Sequence, residues 1–542
     1  MAVDYISALN AGSGLNTTQI IDSLIDAERA PREAAIQEKI DDADVAISSL
    51  GVLKTELNTF NTNVGALSGQ NGITLASSSS NIAVTKTGTQ PLTEFSHSIE
   101  VATLAESQVL QFSGFSTATD AVSLGTLTFT VGSWNSNVSS FTANTDYAAY
   151  SLDVSSATTI ADVVTLINNS TDTTLADVQA SILQTDDGAF SVVIKSHTGA
   201  ERELQIVDSA GSTFELSSVS DANHQVSAGV DASLTIDGIS VTRETNTITD
   251  LIDDMSIVIS AVTTSEQTIS AVYDSTSALS TMTAIVDELN FVLGFLETNT
   301  SIGLDGEESG SLYGDTFANN LKNYVRDFTS TAISGYGSDD IYLSYFGVLT
   351  NRDGTLSLDS DKFATYFAAY PDNFSALTQS RASSDSSTVT PTIVGDYFEP
   401  GTFSLGISSG VATITDSDGV ATQLTDATTV YVAPSGNAAG LNIETTLTDG
   451  TAEIYMGMSL IDTMTNYFGD ILASSGGLAN KISLLGTSKI DYSDDLAELD
   501  SRMENQRAIY QSQFGAMEGS VASLKKTGDY MTNFMDSWRA GL

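Results

Sequence analysis

The chain has 542 residues, 41 % of them hydrophobic, which is enough for several cored domains, and 20 Lys plus Arg stand against 68 Asp plus Glu for a net charge of -48. That charge argues against nucleic acid and anionic membrane surfaces as partners. The absence of cysteine excludes disulfides, thiolate metal sites and cysteine catalysis.

The first residues hold no basic region followed by an apolar core, so no cleavable signal peptide is expected. No apolar run approaches the ~20 residues of a membrane span, so no membrane insertion is expected. Asn16 is placed to cap a helix, with Gln19 as its capping-box partner. Ile20, Ile21, Leu24 and Ile25 make one apolar face, and Pro31 should break or kink that helix. A longer helix follows, with Ile36, Ile40, Ala43, Ile47, Leu50, Leu57 and Val64 on a three- and four-residue spacing whose intervening slots are Lys54 and Asn61.

From residue 77 the composition turns to Ser, Thr and Gly with short alternating runs. Residues 95–101 and 126–131 alternate as half-buried strands do, and 157–168 read as a short amphipathic helix. Residues 178–183 and 190–195 are strands about the turn Asp186-Asp187-Gly188; Asp237-Gly238 marks a second hairpin within 234–241. Helical spacing returns with Leu279, Met282, Ile285, Val286, Leu289, Val292, Leu293 and Leu296, a helix expected to pack on residues 36–67. A helix over 317–328, a hairpin over 347–358 and another helix ending at Pro371 come next. Residues 381–390 read as a Ser/Thr-rich linker, and 392–455 as a β segment with strands near 402–407, 411–415, 428–432 and 451–455. Helix resumes over 459–472 and, past Gly476-Gly477, leads into the last helix, 494–538.

That last helix carries Leu496, Met503, Tyr510, Met517, Leu524, Met531 and Trp538 seven apart, a seam that faces a partner helix. Its second seam position is apolar only at the ends, Leu499 and Phe534; Gln506, Gln513, Ser520 and Thr527 lie between. A half-polar seam suits a helix that orders against neighbouring subunits. Met531, Phe534, Met535 and Trp538 also form an apolar patch with the spacing of a groove ligand. No phosphate loop, Rossmann fingerprint or nucleophile elbow is present, and His97, His197 and His224 lack ligand spacing, so neither an enzyme nor a cofactor is expected. Asp416-Ser-Asp418-Gly419 resembles part of a calcium loop but lacks the further ligands and the closing Glu.

Several segments resemble one family, flagellar hook-associated protein 2, the filament cap protein. Gly12-Ser-Gly-Leu-Asn-Thr-Thr-Gln-Ile-Ile-Asp-Ser-Leu-Ile-Asp-Ala-Glu-Arg-Ala-Pro31 is similar to the family's opening, and Ile47-Ser-Ser-Leu-Gly-Val-Leu-Lys54 to its next helix. Ile99-Glu-Val-Ala-Thr-Leu-Ala105, residues 234–250, 346–374 and 496–531 with Gln513-Phe514-Gly515-Ala516-Met517-Glu518 continue the match in order. Residues 392–455 depart from it and read as an inserted β module.

The resemblance implies an α+β multidomain fold, with long terminal coiled-coil-like helices, a helical base domain and β-rich domains inserted in mid-chain. The expected division is a leg (1–40 with 490–542), a helical base (41–80 with 272–390 and 456–489), a β domain (81–125 with 230–271), an outer β-rich domain (126–229) and the module 391–455. It implies a homo-oligomeric ring, a pentamer in the family, at the distal tip of the flagellum outside the cell. Its implied partners are flagellin, the neighbouring hook–filament junction protein and a cytoplasmic export chaperone at the C-terminal helix. Subunit and filament contacts are expected from the seam residues above. Two other readings stand beside the cap: a flagellin-like filament or junction subunit, and an adhesin whose β domains bind glycans through Trp134, Tyr147 and Tyr150.

Overall fold

The computed structural model describes residues 14–88, 91–122, 125–185, 188–210, 213–304, 307–395, 398–426 and 430–541. Parts of the features named above fall outside them: the first residues read for a signal peptide, residues 12–13 of the opening, 186–187 of the first hairpin turn and 428–429 of the strand near 428–432. The chain divides into two compact units, residues 71–277 and residues 1–70 with 278–542. The architecture is α+β, with long helices at both ends of the chain and sheets between them. All strand pairs in both units are antiparallel among the described residues.

The unit of residues 71–277 has two cores. One lies between a five-stranded sheet, ordered Ile73–Ser77, Gln267–Tyr273, Phe95–Thr103, Ala232–Ile236, Ile239–Arg243, and a three-stranded sheet; Ile82, Ile99, Leu234, Ile257 and Ile269 fill it. The hairpin at Asp237-Gly238 forms because both residues take positive φ, 49° and 79°, as a two-residue loop with right-handed strand twist requires. The Asp237 carboxylate contacts His97 Nδ1 at 2.6 Å and accepts from the Ser98 N–H at 2.9 Å, so its carboxyl is held below the usual range. The second core holds Phe112, Phe129, Ile160, Val192, Ile206 and Phe214, between two four-stranded sheets and helix Ile160–Asn168. Thr159 and Asp162 close a capping box at the start of that helix.

The other unit is built on helices. Pro31 does not end the first helix: one helix runs over Thr17–Gly65. Proline removes a single intrahelical bond at a cost of about 3 kcal/mol, and the burial of Ile21 and Ile25 before it and of Ile40, Leu50, Leu53, Leu57, Phe60 and Val64 after it offsets that cost. Asn16 caps it, accepting from the Gln19 N–H at 3.1 Å. The last helix is longer than its seam alone suggests, Gly477–Ala540, and starts at the glycine break.

Phe60 meets Phe468 of helix Leu460–Leu472 edge-on at 4.9 Å. Asn63 Nδ2 donates to Glu288 of helix Ser275–Thr300 at 2.7 Å. That helix is long and apolar enough to cross a membrane by length and composition, contrary to the expectation from apolar runs. Here it is a core helix, with Met282, Ile285, Leu289, Val292 and Leu296 buried.

Residues 381–390 are not a linker. Arg381–Ser384 pairs with Gly450–Gly457, and Val389–Ile393 pairs with Leu441–Thr445. Both are edge strands of the two sheets that enclose Phe403, Leu405, Ile414, Leu441, Ile443 and Ile454. An edge position tolerates Pro391, which lacks the N–H an inner strand needs.

Candidate assembly interface

The terminal helices pair antiparallel. Asp22 meets Arg507, and Arg29 Nη2 lies 2.7 Å from Asp500 Oδ1. Lys39 Nζ sits 5.4 Å from the Tyr492 ring centre, and Lys489 Nζ lies 2.5 Å from Asp44 Oδ1. Residue numbers rise along one helix as they fall along the other. Between these polar contacts Ile21, Ile25, Leu499 and Met503 form one buried cluster, with Ile36, Tyr510 and Phe514 packed against it.

Each ion pair is half exposed and contributes only about 0–1 kcal/mol. Their arrangement does more for register. A slip of one heptad one way sets Arg29 against Arg507; a slip the other way sets Asp22 against Asp500. Like charges thus oppose both neighbouring registers. Heptad reading of apolar residues misses these four polar pairs. Their sequence signal is opposite charge flanking the seam on two helices of known direction.

The seam residues divide into three groups. Ile40 and Leu50 are buried further along Thr17–Gly65, while Ile20, Ile47 and Leu496 are half-buried. Leu24, Met517 and Leu524 are exposed. Leu499 and Met503 are each 4 % exposed, whereas Leu524 is 72 % and Trp538 66 % exposed. Every residue from Ser523 to Ala540 is exposed, so Met531, Phe534, Met535 and Trp538 present one open apolar face. Residues 515–542 carry Glu518, Asp529 and Asp536 against Lys525, Lys526 and Arg539, a net charge of zero on a chain of -48. The open face therefore lacks the self-repulsion of the rest of the surface.

Trp134, Tyr147 and Tyr150 each pack against the outer β core. The Trp134 ring packs 4.9 Å from Phe141 and its Nε1–H donates to the Leu204 carbonyl at 2.9 Å. The Arg202 guanidinium covers Tyr147 at 4.4 Å. Trp134 and Tyr147 thus each have packing partners, and all three rings are half-buried. Asp416 accepts from the Asp418 and Val420 N–H groups and from Asn437 Nδ2, which makes it the closure of a turn. Among the described residues no three His, Asp or Glu side chains are grouped to hold a metal.

Family models match most of the chain. The model for the flagellar hook-associated protein 2 C-terminus matches residues 229–526, and that for the N-terminus matches residues 13–108. The A-type flagellar hook-associated protein 2 of Pseudomonas aeruginosa is 25 % identical over 378 residues, covering 65 % of this chain and 75 % of that protein. A flagellar hook-associated protein 2 of Escherichia coli is 27 % identical over 380 residues, covering 66 % and 76 %. The crystal structure of the flagellar cap protein FliD from Escherichia coli aligns with a TM-score of 0.52 at 19 % identity, covering 81 % of this chain and 99 % of that one. With one family model spanning more than half of its length and a second matching its start, this chain belongs to the flagellar hook-associated protein 2 family.

Proposed function

We propose that this protein is a structural subunit of the cap at the distal tip of the bacterial flagellar filament. It holds exported flagellin beneath it while each subunit folds and inserts, and it prevents flagellin loss. Family membership supports the cap role, and the antiparallel terminal helix pair with its uncovered C-terminal end is the observation that carries the mechanism. The pair serves as a leg. Its inner half is held by a thin apolar seam, and its outer half stays open for a neighbouring subunit or the filament end.

In this reading copies form a closed ring, a pentamer as in the family, seated next to the hook–filament junction protein when growth begins. Flagellin contacts the leg helices. The leg, helical base, two β domains and residues 391–455 act as separate modules. Before export, the face of Met531, Phe534, Met535 and Trp538 is covered by a cytoplasmic chaperone, because i, i+3, i+4, i+7 apolar anchors fit a hydrophobic groove.

The test is solution mass at moderate and high salt, for the full chain and for the chain ending before residue 523. Salt screens the net charge of -48 and should drive the full chain into a discrete ring. Open-ended polymers, or a monomer under every condition, would count against a self-closing cap. A ring formed equally well by the shortened chain would remove the outer leg from the subunit interface.

A further inference from the structure

Five of the chain's 18 tyrosines fall within residues 336–370, and all five line one cavity of the helical unit. This cavity, about 560 Å³, is lined by Tyr336, Tyr342, Tyr345, Tyr366 and Tyr370 and rimmed by Asp339 and Asp340. A second, shallow and open surface depression of about 480 Å³ shares Tyr345, Tyr366 and Tyr370 with it and adds Ala369 and Thr365. Asp359, Asp361 and Lys362 stand at that second rim. Asp359 faces Lys362 at 3.8 Å, so the two rims together keep a net negative charge.

The rings are held in place before any ligand arrives. Tyr345 stands 5.6 Å from Tyr366, and Tyr366 stands 5.2 Å from Tyr370. Phe346 anchors Tyr366 to the aromatic core at 4.9 Å, and Asn373 Nδ2 donates to the Tyr366 hydroxyl at 2.9 Å. Tyr345 and Tyr370 remain 47 % and 57 % exposed. The buried side of the cluster already holds one cation, the Arg381 guanidinium 5.5 Å from the Tyr336 ring centre. Tyrosine faces rimmed by carboxylates attract a flat or tetrahedral organic cation, and fixed rings lose little entropy when they bind one.

We propose that this paired cavity captures a segment of a partner polypeptide. Its arginine or lysine side chain enters the lobe rimmed by Asp339 and Asp340, and an adjacent apolar side chain enters the lobe of Ala369 and Tyr370. The double cavity favours a peptide over a lone ammonium ion, because one small cation fills one lobe only. The negative rim and the net charge of -48 select a basic segment.

The probe is the peptide acetyl-Arg-Leu-amide, titrated into the full-length protein by calorimetry beside the same peptide with citrulline, which keeps the shape and loses the charge. The arginine peptide should bind saturably, about tenfold more tightly than the citrulline peptide, and more weakly as salt is raised. Tyr345→Ala with Tyr370→Ala should weaken binding about tenfold. Asp339→Asn, at an exposed position, should weaken it without touching the aromatic core. No binding at millimolar peptide, equal binding of the citrulline peptide, or unchanged affinity in both variants would overturn the proposal. Melting curves of both variants that match the native chain rule out misfolding as the cause of weakened binding.

Discussion

Truncating the seam tests whether the leg is held by four side chains. Ile21, Ile25, Leu499 and Met503 are the buried set, and full burial contributes about 1.5–3 kcal/mol each, or about 6–12 kcal/mol as an upper estimate. Leu499→Ala and Met503→Ala should each cost about 2 kcal/mol, the low end for core truncation, because a two-helix seam collapses more easily than a closed core. Together they remove about 4 kcal/mol, which is close to a thousandfold in the opening equilibrium. The assay is amide hydrogen exchange over residues 495–510 in dilute, low-salt solution, where the net charge keeps copies apart. Exchange there should quicken by two to three orders of magnitude, as about 4 kcal/mol implies. The amides around Leu50, Leu57 and Phe468 should keep their protection, since those residues are fully buried elsewhere in the unit. Acceleration of less than about tenfold would mean that something other than this seam holds the helices together.

Reversing Arg29→Glu sets a carboxylate against Asp500 and should loosen the pair by about 1 kcal/mol, with Asp500→Arg in the same chain restoring it; failure to restore, read by the same exchange, would refute the antiparallel register. Gly335→Ala should lower the melting temperature by several degrees, because φ is 84° there and the new Cβ would meet the Met456 carbonyl. His197 gives a pH test. Burial, then the positive charge of Arg202, lowers its pKa, while Asp177 and Glu244 pull it up. The folded state therefore resists protonation, and stability is lost as pH falls through the ordinary value of 6.5 toward the folded one. His197→Gln should flatten that loss between pH 7 and 5.5, and an unchanged loss on acidification would remove the histidine from it.

The terminal helices were legible because their burial is one-sided and periodic: Leu496, Leu499 and Met503 write the seam by spacing alone. The Asp237-Gly238 hairpin was legible because only a few residue pairs tolerate two positive φ angles. Of the break or kink that local geometry predicts at Pro31, the break does not occur, since tertiary burial on both sides carries the helix through it. Residues 381–390 read wrongly as a linker. Edge strands are held by backbone hydrogen bonds to residues about 50 to 75 positions away, and a Ser/Thr-rich sequence shows no trace of them. The tyrosine cavity was hidden because a hairpin, Val348–Thr350 with Leu356–Leu358, separates its two contributing stretches. The interhelix ion pairs were hidden because charge carries no period until the direction of the partner is known.

The leg has a kinetic meaning as well. Lys489 and Asp44 are 445 residues apart in the chain, so the contacts that close the helix pair have among the longest loops in the molecule. Such contacts form late, since loop-closure entropy must be met before they contribute anything. The β cores of residues 71–277 and the module around Leu405 and Ile443 can fold from nearer pieces as they emerge. A chain that leaves a narrow conduit N-terminus first can finish those cores while its last helix is still inside, but it cannot zip the leg. On the proposed function, closure of the terminal helices thus reports that the chain as far as its last seam residues has arrived, and a leg-dependent assembly accepts only chains that carry both helices.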